Sequence, residues 1–435
     1  MFRRNDLSPG SALLVLLAAW SLSAPFAYAK DRIRVFPSIT VNQEYDTNVL
    51  REEDDEADWV TRIIPKLSFA RESEQGHARV WLGLVSRLYA EFDELDGTDR
   101  YMKWDVDHSL SSRLSVFSEG RLMYLESQDA VADGDTLIGE GRPDQRQTQA
   151  GGGLRYTLSP MSSITASGGY FGRDYSSNSP DPRDARRDSD TRWGALSHNR
   201  VLNSTNRLSS SLQYQQTDFE NIGVGSETDD MVSGTVQWDR AWSPIWSSTL
   251  STGLRWLKAD TDAGSNTTLG FVGGASLTRR FRRGEFNLSY QRETRPSSGL
   301  GSSLDTDTLR AAFKTRLTQR LRLEIFGEYE LFKSANETDF SVNPSVEQIG
   351  GLTVLNCPSG STFEGGKCKG KVNDAIESGS VVASVRLDWQ IRQRLFTFVR
   401  YRYQDQTSSG TRNVGEFDSH RIMLGFEFGY PFDMK

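Results

Sequence analysis

The chain has 435 residues, of which 36% are hydrophobic, 11% aromatic and 25% charged, with 38 glycines and a formal net charge of −7. Few aliphatics beside many rings, glycines and polar residues exclude a helical membrane bundle and a disordered chain, and the acidic balance excludes a nucleic-acid binder. A large soluble β protein and a transmembrane barrel remain.

In chain order, the first feature is a leader. Arg3 and Arg4, the apolar stretch at 12–20 and the small-x-small triplet Ala27-Tyr28-Ala29 read as a secretory signal over residues 1–29, with Lys30 the expected mature N-terminus. Arg3, Arg4 and Asp6 are its only charges, so cleavage moves the net charge from −7 to −8. The stretch falls short of the about 20 apolar residues of a membrane-spanning helix, and no later segment reaches that length. No Cys follows the leader closely, so no lipid anchor is expected.

From Arg32 onward the sequence falls into segments with period-two alternation, each bounded by turn residues. The first is expected to begin near Ile33, leaving no preceding plug domain. Tight turns are predicted near 73–76, 111–113, 159–162, 203–206, 243–245, 282–284, 318–320 and 392–394. Longer polar connections are predicted at 46–57, 93–100, 127–145, 176–188, 220–228, 260–265, 296–303, 335–376 and 407–416. Short and long connections alternate, eight against nine, and imply eighteen strands with both chain ends at the short-turn end. Gly151–Gly153 and Gly168-Gly169 interrupt the middle segments, so sixteen strands is the other count the pattern allows.

Later segments show the alternation most plainly. Leu321, Leu323, Ile325, Tyr329 and Leu331 share one face, with Arg322, Glu324, Glu328 and Glu330 on the other. Val381, Val385, Leu387, Trp389 and Ile391 oppose Arg386 and Asp388, and Ile422, Leu424, Phe426, Phe428 and Tyr430 oppose Gly425, Glu427 and Gly429. A soluble sandwich also alternates, but it gives no reason for every second connection to be long. An outer-membrane β-barrel does, with short periplasmic turns and long extracellular loops. The predicted fold is thus an all-β, antiparallel up-and-down transmembrane barrel occupying residues 30–435 as one domain, in contact with outer-membrane lipid and lipopolysaccharide. Trp104, Tyr124, Tyr175, Trp193, Tyr214, Trp238, Trp242, Trp246, Trp256, Tyr290 and Tyr403 are expected to form interfacial girdles.

The inner faces that alternation assigns carry Arg310, Lys314, Arg316, Arg322, Glu324, Glu328, Arg386, Asp388, Arg400, Arg402 and Glu427 as pore-lining candidates. Bases cluster on the fourteenth to seventeenth strands. That stripe either attracts an anionic solute or polymer or consists of charges that pair across neighbouring strands and stiffen the wall. The acidic run Glu52, Glu53, Asp54, Asp55, Glu56 and Asp58 lacks the calcium-loop pattern and reads as a solvated loop, with divalent cations the alternative. Cys357 and Cys368, the only cysteines, sit in the long extracellular loop 335–376 and are expected to form a disulfide. His77, His108, His198 and His420 belong to no GxSxG or HExxH string, so no catalytic residue, metal site or cofactor is expected.

The opening strands carry a family resemblance. Pro37-Ser38-Ile39-Thr40-Val41, then Glu44-Tyr45-Asp46-Thr47-Asn48-Val49, and Asp58-Trp59-Val60 through Ile64-Pro65-Lys66-Leu67-Ser68-Phe69 resemble the β-barrel porins encoded with exopolysaccharide and capsule clusters, the EpsL-like group. Lys66 stands where that group usually has glycine after the proline. The resemblance implies export of a secreted exopolysaccharide or capsule across the outer membrane, together with periplasmic export components. The alternatives are a general or substrate-preferring diffusion porin for small solutes and a closed structural or surface-attachment barrel.

Overall fold

An alternating segment has one face suited to lipid and one to water, and antiparallel pairing of successive segments satisfies its backbone. The computed structural model describes residues 32–126 apart from 52 and 54, then 144–175, 188–219, 227–261, 264–296, 303–334, 377–408 and 416–430, with short segments within 338–372 and at 432–434. The leader expected at 1–29 lies outside the described residues.

The first wall strands are β1 (Arg32–Asp46), β2 (Asp58–Ser73), β3 (Gly76–Tyr89), β4 (Gly97–Ser109), β5 (Leu114–Leu125), β6 (Gln145–Ser159), β7 (Ser162–Tyr175) and β8 (Ser189–Asn203). They are followed by β9 (Asn206–Phe219), β10 (Glu227–Ser243), β11 (Trp246–Thr261), β12 (Gly264–Arg280), β13 (Gly284–Pro296), β14 (Ser303–Arg316) and β15 (Leu321–Ser334). The long connection holds β16 (Thr338–Val342), β17 (Ser345–Ile349), β18 (Leu352–Asn356), β19 (Ser361–Glu364) and β20 (Lys367–Val372), which form two small sheets apart from the wall. The wall resumes with β21 (Glu377–Arg392), β22 (Leu395–Ser408) and β23 (Phe417–Gly429), and β24 (Phe432–Met434) extends the last strand.

Each wall strand pairs antiparallel with its neighbours, β15 with β21 across the long connection. β23 closes on β1 from Ser38↔Gly429 to Asp46↔Arg421, and β24 continues along Ile33–Val35. This closed, eighteen-stranded, up-and-down barrel is the architecture the alternating connections predict, and it excludes the count of sixteen. Among the described residues no helix is long and apolar enough to cross a membrane.

The wall exposes an apolar outer face that includes Ile39, Val41, Leu82, Leu84, Leu196, Leu212, Leu254 and Phe426, with Tyr214, Trp242, Trp256 and Tyr290 also outward. Two expected girdle aromatics point inward instead. Tyr175 accepts a hydrogen bond from the inner-face Gln145 (3.2 Å). Trp193 fills inner space at Gly151 and Gly169, where an added Cβ would meet its ring at 3.3 and 2.9 Å. Those glycines break the alternation because they make room for a ring. The connection at 260–265 is also tight rather than long, since the Asp260↔Ser265 and Thr261↔Gly264 rungs carry the β11–β12 ladder almost to its tip.

Two segments turn into the lumen from the long-loop end. Between β1 and β2, the Asp46 carboxylate is 1% exposed and accepts from Asn48 N (3.1 Å), both terminal nitrogens of Arg51 (3.1 and 2.5 Å) and Ser419 Oγ (2.9 Å). Arg51 reaches it through a left-handed backbone with φ of 60°. The loop thereby presses Val49 against Val60 and Tyr89, with Leu50, Phe92 and Leu95 around them. Part of the acidic run organises this fold. Asp55 accepts from Asn48 Nδ2 (2.9 Å), and Asp58 from the backbone of Glu91 and Phe92 (3.1 and 3.2 Å). Glu52 and Asp54 lie outside the described residues.

The second intrusion is the β13–β14 hairpin. The β12–β13 ladder spans only Gly273–Arg280 and Glu285–Arg292, so residues 264–272 have no ladder partner on that side among the described residues. Beyond the break the hairpin leans inward across β10–β12. Ser303 at its top donates to Asp229 of β10, and Arg255 of β11 reaches Asp305 of β14 (2.7 Å). The inner-face pair Met231 and Leu257 is buried on the wall it crosses.

Candidate functional site

The inner faces of β1–β7 and β21–β23 converge on a cavity of about 440 Å³ inside the barrel. β2 supplies Arg62, Ile64 and Lys66, β3 Val85 and Arg87, β4 Asp99, Tyr101 and Lys103, β5 Arg121 and Met123, and β7 Arg173. From the closing side β21 supplies Arg386, β22 Phe398, Arg400 and Arg402, and β23 Arg421, Met423 and Glu427. Ten basic side chains thus face three acids, Glu44, Asp99 and Glu427. Two of the acids are already committed, Glu44 to Arg62 (2.5 Å) and Asp99 to Arg87 (2.7 Å). Enclosed by a low-dielectric wall, such an excess holds a positive potential that water alone would screen.

A second cavity of about 400 Å³ lies at the short-turn end, lined by Arg316, Arg320, Arg322, Glu324, Asp388 and Phe396 among others. It shares Arg386 and Glu427 with the first. The two therefore adjoin along β21–β23 and lead from the turn end into the cationic chamber.

The predicted pore-lining residues all occupy inner-face positions, opposite the exposed Leu309, Ile325, Val385, Val399 and Leu424 of their strands. They divide into two groups. On β14 and β15 the charges cancel across the ladder, Arg310 with Glu328, and Lys314 with Glu324 at 3.6 Å. Arg386 bonds Asp388 on its own strand (2.7 Å), and Arg400 and Arg402 turn into the chamber. Arg316, Arg322, Glu324 and Asp388 line the turn-end cavity.

Arg62, Lys66, Lys103, Arg121, Arg173 and Arg421 were not singled out by the sequence pattern. Each alternates with outward residues, as Arg121 and Met123 do with Leu122 and Tyr124, but Ile64, Val85 and Met123 on the same inner faces mute the contrast. Among the described residues no group of His, Cys, Asp and Glu could hold a metal ion. Cys357 lies outside the described residues, and so does the expected bond to Cys368.

No family model and no curated protein matches the chain. Solved structures do. The outer membrane protein OpdK of Pseudomonas aeruginosa is 11% identical, with a TM-score of 0.44 over 91% of this chain and 99% of that one. The FrpB iron transporter of Neisseria meningitidis is 9% identical, with a TM-score of 0.46 over 95% of this chain and 83% of that one. OccK2 of Pseudomonas aeruginosa, solved in complex with glucuronate, is 11% identical, with a TM-score of 0.44 over 93% and 98%.

Proposed function

We propose that the protein is a bacterial outer-membrane diffusion porin that prefers small anionic solutes, acting as a conduit without catalysis. The secretory leader, the closed barrel and the apolar outer face support the location. The chamber with ten bases against three acids is the observation that carries the preference. Its volume suits a solute of a few to a dozen heavy atoms, and the loop packed through Val49 narrows the route beside it.

Export of an acidic exopolysaccharide is the second reading. It draws on the Glu44–Val49 segment and its family resemblance, and the same cationic lining would accommodate an anionic polymer. Two measurements test the pair. In planar bilayers across a KCl gradient the reversal potential is expected on the anion side, and K66E/R121E should move it toward cations. A cation-selective wild type overturns the anion preference. A clean deletion should slow uptake of small organic anions while extracellular polysaccharide stays unchanged, and the opposite outcome establishes export instead.

A further inference from the structure

We propose that Arg386, Arg400, Arg402 and Arg421 form a binding subsite for a dianionic solute bearing carboxylate or phosphate oxygens. The proposal rests on the anion-porin reading and narrows its substrate.

The strand register brings the four together. Arg386 stands directly across from Arg400 on the β21–β22 ladder, and Arg402 directly across from Arg421 on β22–β23. Like charges at facing positions repel, so two such rungs side by side demand compensation. Some of it is built in. Arg386 bonds Asp388 (2.7 Å) and lies over the Phe398 ring (4.3 Å), which fixes its plane. Arg421 donates to Gln404 Oε1 (3.0 Å) and lies 3.7 Å from Asp46, a carboxylate that Arg51 already engages.

Arg400 makes no such direct contact. Among the described residues no carboxylate stands within ion-pair distance of it, and its buried Nε has no hydrogen-bond partner. It sits in the chamber wall with Tyr101, Met423 and Phe398 around the same space. Arg400 is half-buried, with its Nε closed off and unpartnered; leaving a buried donor unmet is costly, and the chamber in front of the guanidinium is where an acceptor can enter. Arg402 follows two residues later on the same face, about 7 Å along the strand. Two guanidiniums at that spacing match two carboxylates a few carbons apart, or a phosphate bridged between them. A monoanion engages only one of the two.

The experiment uses the full-length protein in planar bilayers, with succinate, glucose 1-phosphate and acetate added to the KCl bath. Succinate or glucose 1-phosphate should interrupt the current at millimolar concentration, and acetate should not; which of the two acts identifies the oxyanion. R400Q/R402Q should weaken that block at least ten-fold, R400K/R402K should weaken it while keeping the anion preference, and R310Q should leave it unchanged. Retained heat-modifiable gel mobility certifies that each variant folds. An anion-selective current that neither dianion interrupts, or a block indifferent to R400Q/R402Q, overturns the subsite and leaves the porin reading standing. A cation-selective or non-conducting wild type overturns the porin reading itself.

Discussion

Asp46 is the residue on which the inward loop depends. Its carboxylate takes donors from Asn48, Arg51 and Ser419 at a position with 1% exposure. Removing one partner of such a buried pair typically costs about 3–5 kcal/mol. In D46A the loop is therefore expected to detach, exposing Arg51, which is 4% exposed in the wild type. Trypsin should cut after Arg51 in D46A and not in the wild type, and single-channel conductance should rise; continued protection would mean the Val49 contacts alone hold the loop. The sequence displays Glu44–Val49 as a motif, but its meaning requires Ser419 and Arg421, which lie far along the chain. Gly151 and Gly169 are similar: visible as interruptions of a strand, explicable only once Trp193 occupies the space above them.

Among elements, the β13–β14 hairpin departs most from a regular wall. Residues 264–272 and 293–296 carry no hydrophobic pattern that shows the two stretches parting beyond Gly273. The departure is decided by distant partners, Ser303 with Asp229 and Asp305 with Arg255. Asp229 lies toward the loop end from the outward Tyr214–Val232–Trp256 rung, and burial pushes its pKa up from 3.8 to about 6. The docked hairpin therefore favours the protonated acid. Docking is strongest below pH about 4, where Asp229 is protonated whether docked or free, and weakens as pH rises through about 6. Channels should open more often at pH 7.5 than at pH 5, and D229N should hold the pH 5 behaviour at both. A second check is D229C/S303C, whose oxidation should lock the hairpin inward and suppress those openings until reductant is added.

For the whole molecule, the barrel was legible because most connection lengths report strand direction, although the connection at 260–265, expected to be long, is tight. The chamber was not. Alternation places a residue on a face, yet which faces meet across the lumen depends on closure, which sets Arg62, Arg121 and Arg173 opposite Arg400 and Arg402. The acidic net charge of −7 consequently coexists with a positive interior. Because that interior acts over distance, its influence should fade as the screening length drops from about 10 Å in 0.1 M salt to about 3 Å in 1 M. The ratio of anion to cation permeability is expected to be larger at 0.1 M KCl than at 1 M, and a ratio unchanged by salt would assign selectivity to the subsite contacts alone.

Closure between β1 and β23 also dictates an order of events in time. The rung Asp46↔Arg421 joins positions separated by almost the entire chain, so the wall cannot be sealed until nearly every other strand is in place. Loop-closure entropy makes such a distant pairing slow. Until it forms, the sheet has two raw edges, each a template for pairing with another molecule. The wait for that last closure, rather than any early pairing, is where this chain is most exposed to aggregation.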